Sequence, residues 1–133
     1  MTPPVEPWPT DPAEFVRAYL DAWNAADVDR VIDAWHVPSV LHTAGEVIAH
    51  PDGPSRRVFL GSYVDSTREA LAAGARWTCP SLDVRALGAD DAVATANWVF
   101  TLGDGTVTED YLDTYLLARV DGRWFILADA IHA

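Results

Sequence analysis

Asp113 is the residue whose neighbours make it chemically unusual. It lies in an alternating run, Thr106–Arg119, which Asp104-Gly105 joins to a second such run, Ala92–Leu102. Asp-Gly between two alternating runs is a strong hairpin signal, because both central residues of a tight primed turn need positive φ. Pairing outward from a two-residue loop sets Asp113 opposite Ala96, Tyr111 opposite Trp98 and Glu109 opposite Phe100. Cross-strand partners share a face. Asp113 is therefore predicted beside Ala94, Ala96, Trp98, Phe100 and Leu102, on the apolar side of the sheet. A carboxylate there must be hydrogen-bonded, paired or protonated, and such an acid is suited to moving protons away from water.

Asp129 is its possible partner, and the second hairpin leaves two registers open. A two-residue Asp121-Gly122 loop pairs Asp113 with Ala130 and turns Asp129 away. A three-residue loop with Gly122 as a left-handed bulge pairs Asp113 with Asp129, and two carboxyl groups on one face titrate as a coupled pair. The first hairpin also puts Trp98, Tyr111 and Tyr115 on the face of Asp113. Together with Phe100, and with Phe59 and Tyr63 of a predicted third helix, they are candidate walls of an aromatic pocket for a flat, largely apolar molecule. Trp23 and Trp35, on apolar helix faces, read as core. The lone cysteine, Cys79, reads as a small buried hydrophobe. The four histidines show no spacing that matches a metal site, so neither a metal nor a cofactor is expected.

The elements that must position these residues run helices first. Asp11-Pro12-Ala13-Glu14 is a capping pattern for a first helix, with Phe15, Val16, Tyr19, Leu20 and Trp23 at helical spacing. Asp27 caps a second helix through Val28, Val31, Ile32 and Trp35, which Pro38 stops. Val40 to Thr43 is a short strand, Gly45 to Pro54 a loop, and Ser55 the cap of a third helix ending at Gly74. Four strands then follow, Arg76–Leu87, Ala92–Leu102, Thr106–Arg119 and Arg123–Ile131. That order means α+β, three helices packed on one face of a strongly curved mixed or antiparallel sheet. Residues 1–10, with four prolines, form a lead-in, and residues 11–133 one domain.

With 133 residues and a net charge of −11, the chain is long enough for one core and has the wrong charge for nucleic acid or anionic membrane. All nine basic residues are arginine. Without a signal-peptide pattern, the expected compartment is the cytoplasm.

The order of elements resembles the NTF2-like superfamily, with Tyr19-Leu20-Asp21-Ala22-Trp23-Asn24-Ala25-Ala26-Asp27-Val28-Asp29 at the first helix junction. Val120-Asp121-Gly122-Arg123-Trp124 at the last hairpin extends the likeness, which covers about residues 12–131. The resemblance implies a cone with a hydrophobic pocket and a homodimer formed through the outer face of the sheet. Set beside ketosteroid isomerases, Tyr19 matches the oxyanion donor and Asp113 the protonated acid. Thr43 stands where the base would be, and the neighbouring His42 is an alternative base. SnoaL-type cyclases, with an acid facing the pocket from the sheet, are equally compatible. The resemblance implies a small-molecule acid/base enzyme, an isomerase, cyclase or dehydratase acting on an apolar, polycyclic or polyketide-like substrate. Asp113, Tyr19, Asp129 and His42 are its candidate catalytic residues. The alternative is a non-catalytic ligand-binding or dimerisation domain of the same fold.

Overall fold

The computed structural model describes residues 6–132; residues 1–5 of the proline-rich lead-in lie outside them. Helix α1 spans Pro12–Asn24 and α2 spans Val28–Asp33. The Asp11 side chain accepts from the Glu14 amide at 3.0 Å and that of Asp27 from the Arg30 amide at 3.1 Å, as their cap positions predict. Strand β1 (Trp35–Thr43) begins where the second helix was expected to continue, and Pro38 lies inside the strand. Strand β2 (Glu46–His50) occupies the expected loop and pairs with β1 around Ala44 and Gly45, both at positive φ (51° and 79°). Alanine seldom adopts that conformation, so nothing in the residue types announced this turn. Helix α3 runs Gly53–Ala72, and its cap is Asp52 instead of Ser55, the carboxylate accepting from the Ser55 amide at 2.8 Å.

The expected strand Arg76–Leu87 is two, β3 (Arg76–Thr78) and β4 (Leu82–Ala86), both paired with β5 (Asp91–Thr101). Pro80, with no amide hydrogen to give a ladder, lies in the break. Strands β6 (Val107–Val120) and β7 (Arg123–His132) complete an open mixed sheet ordered β2-β1-β7-β6-β5-β3. The fold is α+β, with β1 parallel to β7 and every other pairing antiparallel.

Two registers decide the site. Ala96 faces Asp113 and Trp98 faces Tyr111, as the Asp-Gly turn predicts. The tip is nonetheless one residue longer than expected, since Leu102 rather than Gly103 closes onto Thr106. An extra residue in β6 near Thr108 restores the register, so two deviations cancel. The last hairpin does turn on Asp121 and Gly122 alone, at φ 51° and 77°. A β-bulge at Leu127 then shifts the pairing, so that Asp129 faces Tyr115 and Asp113 faces Ile131. Neither expected register occurs, yet both carboxyl groups reach the inner face, because the bulge reverses the side-chain parity of β7.

Phe15, Val31, Val64, Leu117 and Ile126 are fully buried between the helices and this inner face. The described end of the lead-in is docked, with Trp8 buried against Phe15 and its indole donating to Asp33 at 2.9 Å.

Candidate active site

Between α1, α3 and the inner face of the sheet lies a cavity of about 90 Å³. Tyr19 and Trp23 line it from α1, Phe59 and Tyr63 from α3, and Trp98, Tyr111, Asp113, Tyr115 and Asp129 from the sheet. Tyr63 is 51% exposed, which places the mouth beside α3.

The structure brings together eight of the ten residues singled out from sequence. Phe100 is buried but stacks on Trp77 at 4.7 Å, behind the cavity wall. His42 is exposed on the outer side of β1 while its neighbour Leu41 faces in, so His42 is no candidate base; adjacent strand residues point to opposite faces. Trp35, assigned to a helix core, instead opens β1 and forms part of the wall. Trp77 was not singled out, because its position depends on a contact distant in sequence.

Two tryptophan–tyrosine pairs organise the polar end. The Trp98 indole donates to the Tyr115 hydroxyl at 2.8 Å, and that hydroxyl donates to Asp113 Oδ2 at 2.9 Å. The Trp35 indole donates to the Tyr19 hydroxyl at 2.9 Å. Among the described residues none accepts the Tyr19 proton, so Tyr19 is a fixed donor available to a ligand. Accepting from the indole polarises its O–H and strengthens it as a donor. Burial holds the Tyr19 and Tyr115 phenols well above their ordinary range, so both stay neutral donors.

Asp113 and Asp129 are 3% and 6% exposed and within hydrogen-bonding reach of each other. Oδ1 of each is buried with no donor among the protein groups. Two ionised carboxylates would repel, whereas one proton held between them satisfies both. Burial drives both pKa values upward. Asp113 rises to about 6, limited by its bonds to Asp129 and Tyr115, and Asp129 is held well above the usual carboxylate range by burial and the neighbouring Asp113 charge. The two carboxyl groups therefore titrate as one pair, above the range of solvated carboxylates.

Asn24, at the C-terminus of α1, clamps the backbone of Trp77 in both directions. Its side-chain amide donates to the Trp77 carbonyl at 2.9 Å and its oxygen accepts from the Trp77 amide at 2.7 Å. Asn24→Ala leaves both backbone groups without these partners, a cost of about 1–3 kcal/mol, expected to appear as a melting temperature lower by several degrees. An unchanged melting curve would mean that β3 is held by its sheet pairing alone.

Among the described residues no group of three or more His, Cys, Asp or Glu could hold a metal ion. No helix is long and apolar enough to cross a membrane. Cys79 donates to the Ser81 carbonyl at 3.2 Å and burial raises its pKa, the opposite of an activated thiol.

Among curated proteins none matches the chain in sequence. Solved structures do match it in shape. An NTF2-like protein with a cystatin-like fold from Novosphingobium aromaticivorans superposes with a TM-score of 0.72 at 14% identity, over 90% of this chain and 77% of that one. A protein from Shewanella frigidimarina provisionally named a ketosteroid isomerase gives 0.68 at 15% identity, over 96% and 100%. A Xanthomonas campestris protein provisionally named a calcium/calmodulin-dependent protein kinase II association domain gives 0.63 at 23%, over 96% and 92%. So different a pair of names on one architecture shows that shape alone does not choose an activity. A family described as NTF2-like protein (DUF6841) matches residues 11–133, and with the helices packed on one face of an open mixed sheet already in view, the chain belongs to that NTF2-like family.

Proposed function

We propose that the protein is a cofactor-independent acid/base enzyme that shifts a proton within a small, largely apolar, enolisable molecule. The observation that carries this reading is the buried Asp113–Asp129 pair beside the free Tyr19 hydroxyl in an aromatic cavity. Asp113, the ionised partner, takes a proton from the carbon next to a carbonyl. Tyr19 donates to the oxygen as it gains charge, the Asp129 proton stays on its bond to Asp113, and Asp113 returns the substrate proton at another carbon. A base with a pKa near 6 is ionised at neutral pH and still close enough to it to give the proton back.

Size narrows the expected substrate. A cavity of about 90 Å³ lies well below the roughly 300–1,000 Å³ of sites that enclose drug-sized ligands. It suits a single ring, or the inner end of a larger molecule, instead of a whole polycyclic one. The non-catalytic alternative draws on the same small volume and on exposed Leu112 and Leu116, which lie on the outer face of β6 and fit a homodimer interface.

The test is isomerisation of 3-cyclohexenone to its conjugated isomer, followed by ultraviolet absorbance. Turnover is expected to rise with pH through about 6, as Asp113 ionises. The absence of any protein-dependent rate on this and related cyclic enones would favour the binding-domain reading.

A further inference from the structure

All four tyrosines of the chain line the cavity. Their hydroxyls differ in what they are free to do. Tyr115 gives its proton to Asp113 Oδ2 at 2.9 Å, and Tyr63, 51% exposed, stands at the mouth. Tyr19 and Tyr111 remain. Tyr19 accepts from the Trp35 indole and keeps its own proton to donate. The Tyr111 hydroxyl has no hydrogen-bond partner among the described residues. Nor is it sealed in: Trp77 Nε1 is buried without a partner, whereas Tyr111 is only half-buried and its hydroxyl keeps surface that another molecule can reach.

The strand fixes where Tyr111 stands. Asp113 lies two residues further along β6 and Tyr115 four, so all three side chains project to the inner face. Asp113 is thus flanked by two phenols of its own strand. Tyr115 bonds it, and Tyr111 does not. The Tyr111 backbone pairs with Trp98 of β5, its carbonyl accepts from the Asn97 side chain at 3.1 Å, and its ring stands edge-on to Trp77, centroids 6.2 Å apart. Burial holds the phenol above its ordinary range, and the groups whose negative charge adds to this are, in order, Asp113, Tyr19, Asp129 and Glu109. Tyr111 is therefore a neutral donor whose strongest electrostatic neighbours are the base and the other free phenol.

When a base takes a proton from carbon, negative charge collects on the carbonyl oxygen, which has two lone pairs to offer donors. One phenol leaves half of that capacity unused. With the Asp129 proton tied to Asp113, the inner hydroxyl left to fill it is that of Tyr111.

We propose that Tyr111 is a second catalytic donor, its hydroxyl bonding the same substrate oxygen as Tyr19 while Asp113 takes the proton from the adjacent carbon. This rests on the acid/base reading of the site and extends it from one hydroxyl at the oxygen to two. Both phenols keep their protons throughout. The proton that moves is the one Asp113 removes from carbon and returns.

The test is Tyr111→Phe in the full-length protein, assayed on 3-cyclohexenone, with thermal unfolding as the control for folding. The hydroxyl bonds nothing in the protein, so the melting temperature is expected to stay that of the wild type. Turnover is expected to fall roughly 10–100-fold in kcat, the worth of a hydrogen bond to a charged oxygen, with KM changed by less than about threefold. The rise of turnover through about pH 6 should keep its midpoint, because Tyr111 acts on the substrate and not through Asp113. A wild-type kcat, a loss carried by KM alone, or a displaced midpoint that accounts for the loss each overturns the proposal and leaves the role of Asp113 standing. The absence of any protein-dependent rate in the wild type removes the acid/base reading, and this proposal with it.

Discussion

Asp113→Asn is expected to lower kcat for 3-cyclohexenone isomerisation by roughly 10²–10⁴-fold, the usual worth of a positioned acid or base, with little change in KM. The introduced amide is nearly the same shape as the carboxylate it replaces. Its oxygen can still accept from Tyr115, whose hydroxyl bonds to Asp113 Oδ2 at 2.9 Å, and the amide can still meet Asp129. What it cannot do is take a proton from carbon. The apolar walls are untouched, so ground-state binding should survive, and a loss confined to kcat is the signature of an interaction made in the transition state. Thermal unfolding of the variant serves as the control for folding. A kcat close to that of the wild type in a well-folded Asp113→Asn protein would take Asp113 out of the chemistry.

Asp129→Asn should make the protein more stable at alkaline pH while disabling it. In the unfolded chain Asp129 gives up its proton near the ordinary value of 3.8, but in the folded chain burial and the Asp113 charge hold that proton to much higher pH. Between those two values the folded state binds more protons than the unfolded state. Stability therefore falls as pH rises from about 4, until the folded pair has ionised. Asparagine has no proton to lose and removes that slope. It also relieves Asp113 of a like-charged neighbour. The shift of Asp113 alone, from 3.8 to about 6, corresponds to about 3 kcal/mol, so an effect of this order is expected for the pair. Melting temperatures measured from pH 4 to pH 9 should coincide for wild type and variant at the acid end. At the alkaline end they should separate by several degrees, with the variant higher. Parallel curves would show that Asp129 does not hold a shared proton. Greater stability with lost turnover is the expected trade where a buried charge is kept for its chemistry.

The parts of the fold that could be read from the residues are those decided locally. Asp11 and Asp27 cap their helices because the signal and its effect lie three residues apart. The Asp104-Gly105 turn correctly placed Trp98, Tyr111 and Asp113 on one face. That success owed something to chance, since a longer tip and a bulge near Thr108 offset each other. Features set by distant contacts were not legible. Trp35 has the helical spacing of a core residue, yet parallel pairing with Ile126 of β7 draws it into a strand. Gly45 to Pro54 has loop composition, but pairing with β1 makes a strand of Glu46–His50. His42 and Leu41 are adjacent, and only their register against β7 shows that the leucine faces the cavity. The unpartnered indole of Trp77 had no signal at all, because a missing acceptor is a property of packing.

The bulge at Leu127 has a further implication, for engineering. Ahead of it Trp124 and Ile126 face inward, and beyond it Asp129 does. Removing Leu127 outright would leave a regular strand with each of these side chains still on its own face, since only the unpaired residue is gone. What would change is the bend, because bulges kink and twist the strand that carries them. Strand length at this one position is thus a dial for the curvature of the cone. Turning it would resize the chamber while Tyr19, Asp113 and Asp129 keep the faces they now occupy.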